Sequence, residues 1–151
     1  MQTDLATHAR ATRPSDMRFA IHNEVRIEAI PQARGSCPGC GADLVAKCGD
    51  VKVWHWAHKG QRHCDPWWEN ETQWHRDWKN NFPTDWQEIP ARDANGELHI
   101  ADIKSPHGLV VEFQHSHLKS EEALMRTAFH QNIIWVVDAT RRKTDVSQFV
   151  R

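Results

Sequence analysis

Leu98-His99-Ile100-Ala101-Asp102-Ile103-Lys104-Ser105-Pro106-His107-Gly108-Leu109-Val110-Val111-Glu112-Phe113-Gln114 reads as two strands joined by a turn. Ser105-Pro106-His107-Gly108 holds the turn formers, and the flanks are rich in isoleucine and valine. Folding the chain back at this turn brings Asp102 and Glu112 nearly opposite one another. Glu112 and Gln114 share one face of their strand, while Val111 and Phe113 point to the other. Two carboxylates side by side repel unless a cation lies between them. Hard oxygen donors of this kind suit Mg²⁺ or Mn²⁺ rather than zinc.

Upstream, Trp68–Phe82 has helical periodicity and is closed by Pro83. On a wheel of about 100° per residue, Trp67, Trp74, Trp78 and Phe82 form a buried arc. Glu71 falls inside that arc, and His75 and Lys79 follow it at four-residue steps. Glu69, Asn70, Gln73, Arg76, Asp77 and Asn80 take the opposite, wet side. A carboxylate facing the core is costly unless it is paired or bound to metal. Glu71 is therefore either a third ligand or the ion-pair partner of His75 or Lys79. A short strand is expected at Trp86–Ile89. Downstream, Ser120 can cap a helix running to His130, with Glu121 and Glu122 in its favourable first turn. Asn132–Asp138 is an apolar run that reads as a buried strand. From Trp68 onward the order is α-β-β-β-α-β.

The N-terminal third has a different character. Residues 1–16 show no periodicity, and Phe19–Ile30 suggests one or two short strands. Ala42–Lys47 and Val51–Trp56 flank a Cys48-Gly49-Asp50 turn, which is a hairpin pattern. Cys37-Pro38-Gly39-Cys40-Gly41 is a C-x2-C knuckle, half of a tetrahedral zinc site. Centring the turn on Gly49 places Cys40 opposite His58 and Asp43 opposite His55. His55 then lies roughly 10 Å up the hairpin, and Cys48 sits at the far tip. Cys64 can fold back from beyond His58. The favoured set is Cys37, Cys40, His58 and Cys64, with His55 or His63 in reserve. Four protein ligands close the site, so the zinc is structural. His22-Asn23-Glu24 before this knuckle is too close to Cys37 for the zinc-deaminase pattern.

Composition is that of a globular chain, with 39% hydrophobic and 26% charged residues and a formal net charge of −1. No apolar run is long enough to cross a membrane. The N-terminus has no secretory character, and the cysteines read as ligands in a cytoplasmic protein. Eight tryptophans accompany no tyrosine. Tryptophan at this density reads as core packing, with a base-stacking surface as the alternative. Arg141, Arg142 and Lys143 form a basic cluster that could touch backbone phosphate, although a solvated tail accounts for it better. A homo-oligomer is compatible with this composition.

Glu71-Thr72-Gln73-Trp74-His75, Lys79, Ala101-Asp102 and Glu112-Phe113-Gln114-His115-Ser116 together resemble the competence-protein CoiA-like nuclease family. His55-Trp56-Ala57-His58 is similar to that family's H-F-A-H element, and Arg126 and Ile134-Trp135 match its later helix and strand. The resemblance covers about residues 35–140. It implies a PD-(D/E)XK (restriction-endonuclease-like) α+β fold, an αβββαβ core preceded by a zinc-binding β-hairpin, with DNA as substrate. The expected division is a flexible arm at 1–17, a β-rich zinc module at 18–66 and a nuclease core at 67–151. Asp102 and Glu112 would hold Mg²⁺ or Mn²⁺, with Glu71 directly or through water and the Phe113 carbonyl. Gln114 stands where the superfamily usually has lysine; it could orient water, while Lys79 or His75 supplies positive charge. Thr72 replaces a usual serine and His99 a usual arginine. A degenerate, non-catalytic DNA-binding module and a nuclease acting on RNA are the alternatives. A role in DNA uptake is not carried over.

Overall fold

The structure is a computed structural model that describes residues 16–60 and 64–141. Two sheets share the chain. The first holds β1 (Asp16–Met17), β2 (Phe19–His22), β3 (Val25–Glu28), β4 (Arg34–Ser36), β5 (Asp43–Lys47) and β6 (His55–His58). Its order is β1-β6-β5-β4-β2-β3, and every pairing is antiparallel. Gly35 fits here because a Cβ would lie 2.7 Å from the Ile21 carbonyl oxygen. Asp16 and Met17, placed by sequence in a flexible arm, instead pair with Ala57 and Trp56; the rest of that arm lies outside the described residues. The β5–β6 hairpin keeps its place but not its expected register. Leu44 faces His58 and Lys47 faces His55, because the connection spans residues 48–54 instead of a tight turn on Gly49.

The second region follows the order α-β-β-β-α-β: α1 (Gln73–Lys79), β7 (Gln87–Arg92), β8 (Leu98–Lys104), β9 (Val110–Gln114), α2 (Ser120–His130) and β10 (Ile133–Val137). The sheet order is β10-β9-β8-β7, with β9 and β10 parallel and α2 as their crossover. The helix expected over Trp68–Phe82 is shorter at both ends. Thr72 is its N-cap, its hydroxyl accepting from His75 N, and Asn80 is its C-cap. Trp67 to Glu71 therefore precede the helix, and the wheel does not apply to them. Trp86 belongs to a 3-10 turn over Thr84–Trp86, so β7 begins one residue later than expected. Ser120 is the first residue of α2 and not its cap; Lys119 holds the cap position without a side-chain bond. The β10 run is half-exposed, with Ile134 50% and Val137 54% accessible. It is an edge strand, which explains its exposure despite an apolar sequence.

Strand β8 ties the two regions together. Its first half, at Leu98 and Ile100, packs with Met17, Ala20, Cys37, Leu44, Trp56 and Cys64. Its second half, at Ile103, joins Val111 and Phe113 under Trp74, Phe82 and Trp86. Three of the tryptophans, Trp56, Trp74 and Trp86, serve these clusters: Trp56 is fully buried and donates from Nε1 to the Ile27 carbonyl (3.1 Å). Trp54 and Trp78 remain exposed. No helix among the described residues is long and apolar enough to cross a membrane.

Candidate functional sites: a thiolate knuckle and a carboxylate cleft

Cys37, Cys40, His58 and Cys64 come together, with one donor atom of each within 4.8 Å of all the others. Cys37 Sγ is 3.6 Å from Cys64 Sγ, and Cys40 Sγ is 3.4 Å from His58 Nε2. Zn–S bonds near 2.3 Å at tetrahedral angles would separate two sulfurs by about 3.8 Å, so the cluster fits zinc. The knuckle is shaped by its own backbone. Cys37 N donates to the Ala42 carbonyl, Gly41 N donates to the Cys37 carbonyl, and Gly41 takes a φ of 75°. Gly39 N donates to Cys37 Sγ (3.4 Å). The hydrogen bond from Cys64 holds the Cys37 thiol down to about 4, and the same bond, with burial, pushes the Cys64 thiol up. One proton shared between two close sulfurs is the pattern that a dication replaces. Of the reserves, His55 instead meets the Val53 carbonyl (2.8 Å) and Asp16 (3.4 Å). His63 lies outside the described residues.

The second site forms where β8 and β9 separate. Their ladder pairs Lys104 with Val110 and Ile103 with Val111. The next rung would hold Asp102 and Glu112, and there the side chains take over. Glu112 Oε1 accepts from Asp102 N (3.2 Å), and Asp102 Oδ2 accepts from Phe113 N (2.9 Å). On the other side, the pairs Gln87 with Ile103 and Ile89 with Ala101 bracket Glu88 opposite Asp102. Three carboxylates therefore cross one level of β7, β8 and β9. Glu88 was missed by sequence reasoning. Its only signal was an acid beside Ile89 in a short expected strand. It has a φ of 49° and accepts from the backbone amides of Arg18 (2.8 and 2.9 Å) and Phe19 (3.1 Å).

Lys79 is fully buried among these acids. Its Nζ donates to Glu71 (2.8 Å), Glu88 (3.1 Å) and Asp102 (3.1 Å). Burial works to lower its pKa, but the three carboxylates outweigh burial and hold it well above the ordinary range. Glu71, buried as expected, gives its second oxygen to Arg76 Nε (2.7 Å). Burial would raise its pKa, and the two cations bring it below the usual range. Both Glu71 oxygens are thus occupied by cations. Glu112 differs. Burial and the Asp102 charge raise it despite His99 (3.3 Å) and Arg126 (3.5 Å). Lys79 meets Asp102, and His99 and Arg126 meet Glu112, yet burial and the neighbouring Asp102 charge still prevail at Glu112.

His75 and Gln114 meet through Glu69, which the wheel had placed in solvent. Glu69 accepts from Gln114 Nε2 (2.7 Å), pairs with His75 Nε2 (3.1 Å), and accepts from Ser116 N (2.9 Å). Burial would lower the His75 pKa, and Glu69 reverses this. The Gln114 Oε1 atom is buried without a partner among the described residues. His99 lies between Asp65 (2.9 Å) and Glu112 and is raised to about 10, the two hydrogen bonds outweighing burial. Asp65 also accepts from Trp67 N and Ile100 N. Glu69, Glu71, His75, Lys79, Asp102, Glu112 and Arg126 line a common cavity of about 60 Å³. That is several times the ~10–15 Å³ that one water requires.

Residues 21–66 match the family described as competence protein CoiA, N-terminal domain. The match contains Cys37, Cys40, His58 and Cys64 and ends before the carboxylate cleft. Neither the curated proteins nor the solved structures contain a match to this chain.

Proposed function

We propose that the protein is a divalent-metal-dependent nuclease of the PD-(D/E)XK type, hydrolysing phosphodiester bonds in DNA. The observation that carries this reading is the parting of β8 and β9 at Asp102 and Glu112, within an α-β-β-β-α-β order, beside a buried lysine. The match of residues 21–66 to the CoiA N-terminal domain adds support.

In this reading Asp102 and Glu112 hold Mg²⁺ or Mn²⁺. When bound, the ion lowers the pKa of its water and offsets charge on the phosphate. Lys79 positions Asp102 through Oδ1, and Glu71 and Glu88 hold Lys79 in turn. Glu71 acts by positioning this ammonium, since its oxygens are already paired. Gln114 is locked by Glu69 and offers its unpartnered Oε1 to a water or a metal-bound group. His75, whose pKa Glu69 raises, would bring positive potential to the buried acids. Cys37, Cys40, His58 and Cys64 hold a structural zinc that braces the first sheet against Leu98 and Ile100 of β8.

One observation favours a second reading. Lys79 already neutralises Asp102 and Glu71, and Gln114 brings no charge of its own. A degenerate fold that binds DNA without cutting would have this character. Incubation with plasmid, single-stranded circles and RNA, each in Mg²⁺, Mn²⁺ and chelator, decides among these. Metal-dependent cutting of DNA is the expected result. Binding without cutting any substrate favours the binding module, and cutting confined to RNA changes the substrate.

A further inference from the structure

His99 and Glu112 have a third neighbour in His130, the last residue of α2. One donor atom from each of the three lies within 4.8 Å of the other two. His99 Nε2 stands 3.3 Å from Glu112 Oε1, close to the ~3.4 Å separating two tetrahedral ligands of an ion bound at about 2.1 Å. The His99 and His130 rings lie 4.9 Å apart, tilted by 56°. His130 Nε2 is buried and has no hydrogen-bond partner among the described residues. A buried ring nitrogen left in this way is unsatisfied and calls for an occupant. The far nitrogen of His99 is already held: Nδ1 meets Asp65 Oδ2 at 2.9 Å. A carboxylate behind an imidazole fixes the tautomer and ring orientation of a metal ligand. Trp67 and Phe129 stand edge-on to His99, with centroids 5.2 and 5.9 Å away, and shield it.

We infer that His99, Glu112 and His130 form a second metal site, taking a first-row transition-metal dication through two imidazoles and one carboxylate. The set is distinct from the thiolate knuckle and shares only Glu112 with the all-oxygen pair. Imidazole donors select ions such as zinc, iron(II) or nickel(II) over magnesium, and manganese(II) serves below only as the paramagnetic probe. Three protein ligands leave a coordination position open. Binding replaces the His99–Glu112 hydrogen bond and releases the Nε2 proton of His99, while Nδ1–H stays on Asp65. Glu112 is shared, so an ion here and one at Asp102 would both use the same carboxylate, a donor sharing that suits phosphodiester displacement. The binding of metal stands on the donor geometry; only its part in phosphate chemistry rests on the nuclease reading.

The test uses the full chain carrying its knuckle zinc, titrated with Mn²⁺, which does not displace zinc from thiolates. Pulsed electron paramagnetic resonance then reads ¹⁴N coupling from imidazole. Wild type should show this coupling. His130→Ala should weaken Mn²⁺ binding at this site at least tenfold and reduce the coupling, with knuckle zinc retained as a check on folding. Should His130→Ala lose zinc, His130→Gln replaces it, because the longer amide fills the space. Asp102→Ala should leave the nitrogen coupling in place. Bound Mn²⁺ without ¹⁴N coupling in wild type, or coupling and affinity unchanged in the folded His130 variant, overturns the inference. DNA cleavage in Mg²⁺ without nitrogen coupling would sink this site and keep the nuclease. Coupling without cleavage of any substrate would do the reverse.

Discussion

Asp102 and Glu112 each accept a hydrogen bond from a backbone amide of the other's strand, at 2.9 and 3.2 Å. The two carboxylates therefore occupy the place of the next ladder rung, and their orientation is set by the backbone they interrupt. The backbone thus holds both side chains in place across the gap between the strands.

Asp102→Ala should abolish DNA cleavage in Mg²⁺ or Mn²⁺, a loss of at least a hundredfold, because Glu112 alone cannot hold an ion in register with the phosphate. DNA binding should persist or tighten, since a negative charge has been removed from the cleft. Gel-shift and plasmid-nicking assays on one preparation measure both. Undiminished cleavage in the variant would place the active site elsewhere.

Removal of Lys79 tests the same acids from the opposite direction. Lys79→Met leaves Glu71, Glu88 and Asp102 without their shared cation, and breaking a buried pair of this kind costs about 3–5 kcal/mol. Added Mg²⁺ or Mn²⁺ should restore part of that loss and raise the melting temperature more in the variant than in wild type. An equal response in both proteins would count against a cation site among these carboxylates.

Zinc should be present at about one per chain. Cys40→Ser should lose it and lower stability, since the metal contributes folding energy. Metal analysis of untreated protein settles the point, and protein free of zinc would remove the structural-metal assignment.

His99 gives a pH signature. Its pKa in the fold is about 10, against roughly 6.5 in an unfolded chain. The folded state therefore holds more protons between these values, and stability falls as pH rises through that window. His130 works in the opposite sense. Burial and the charged His99 hold it at about 4, so stability also falls as pH drops below about 6.5. Denaturant midpoints should peak near the neutral side of that value. His99→Gln should flatten the alkaline limb and cost on the order of a few kcal/mol at neutral pH. A slope on that limb unchanged by the variant would show that other groups carry it.

The β8–β9 hairpin was legible because turn formers and β-branched residues carry local signals, and the pairing of Asp102 with Glu112 followed from simple counting. The zinc set was also legible, although the register used to reach it was wrong. Cys40 meets His58 through the knuckle turn and not as a cross-strand partner, so proximity survived an error in pairing. The wheel failed before Thr72 because a capping hydroxyl stops the helix there, a choice that periodicity does not register. Glu71 was buried all the same, held by Lys79 and Arg76. Glu69 and Glu88 were missed because their partners come from distant segments: the backbone amides of Ser116, Arg18 and Phe19. His130 was missed for a related reason, being the last residue of a helix with no visible partner in sequence.

Cys64 and Asp65 are consecutive, and one peptide bond separates a ligand of the thiolate cluster from the carboxylate that orients His99 and caps the Ile100 amide. Such a short lever has almost no slack. Whatever pulls Cys64 away, whether an oxidant, a chelator or an electrophile, would also shift Asp65 against His99 and Ile100 of β8, just upstream of Asp102. The knuckle thus acts as a clasp on the cleft, and damage to its sulfur chemistry would be felt where phosphate is expected to bind.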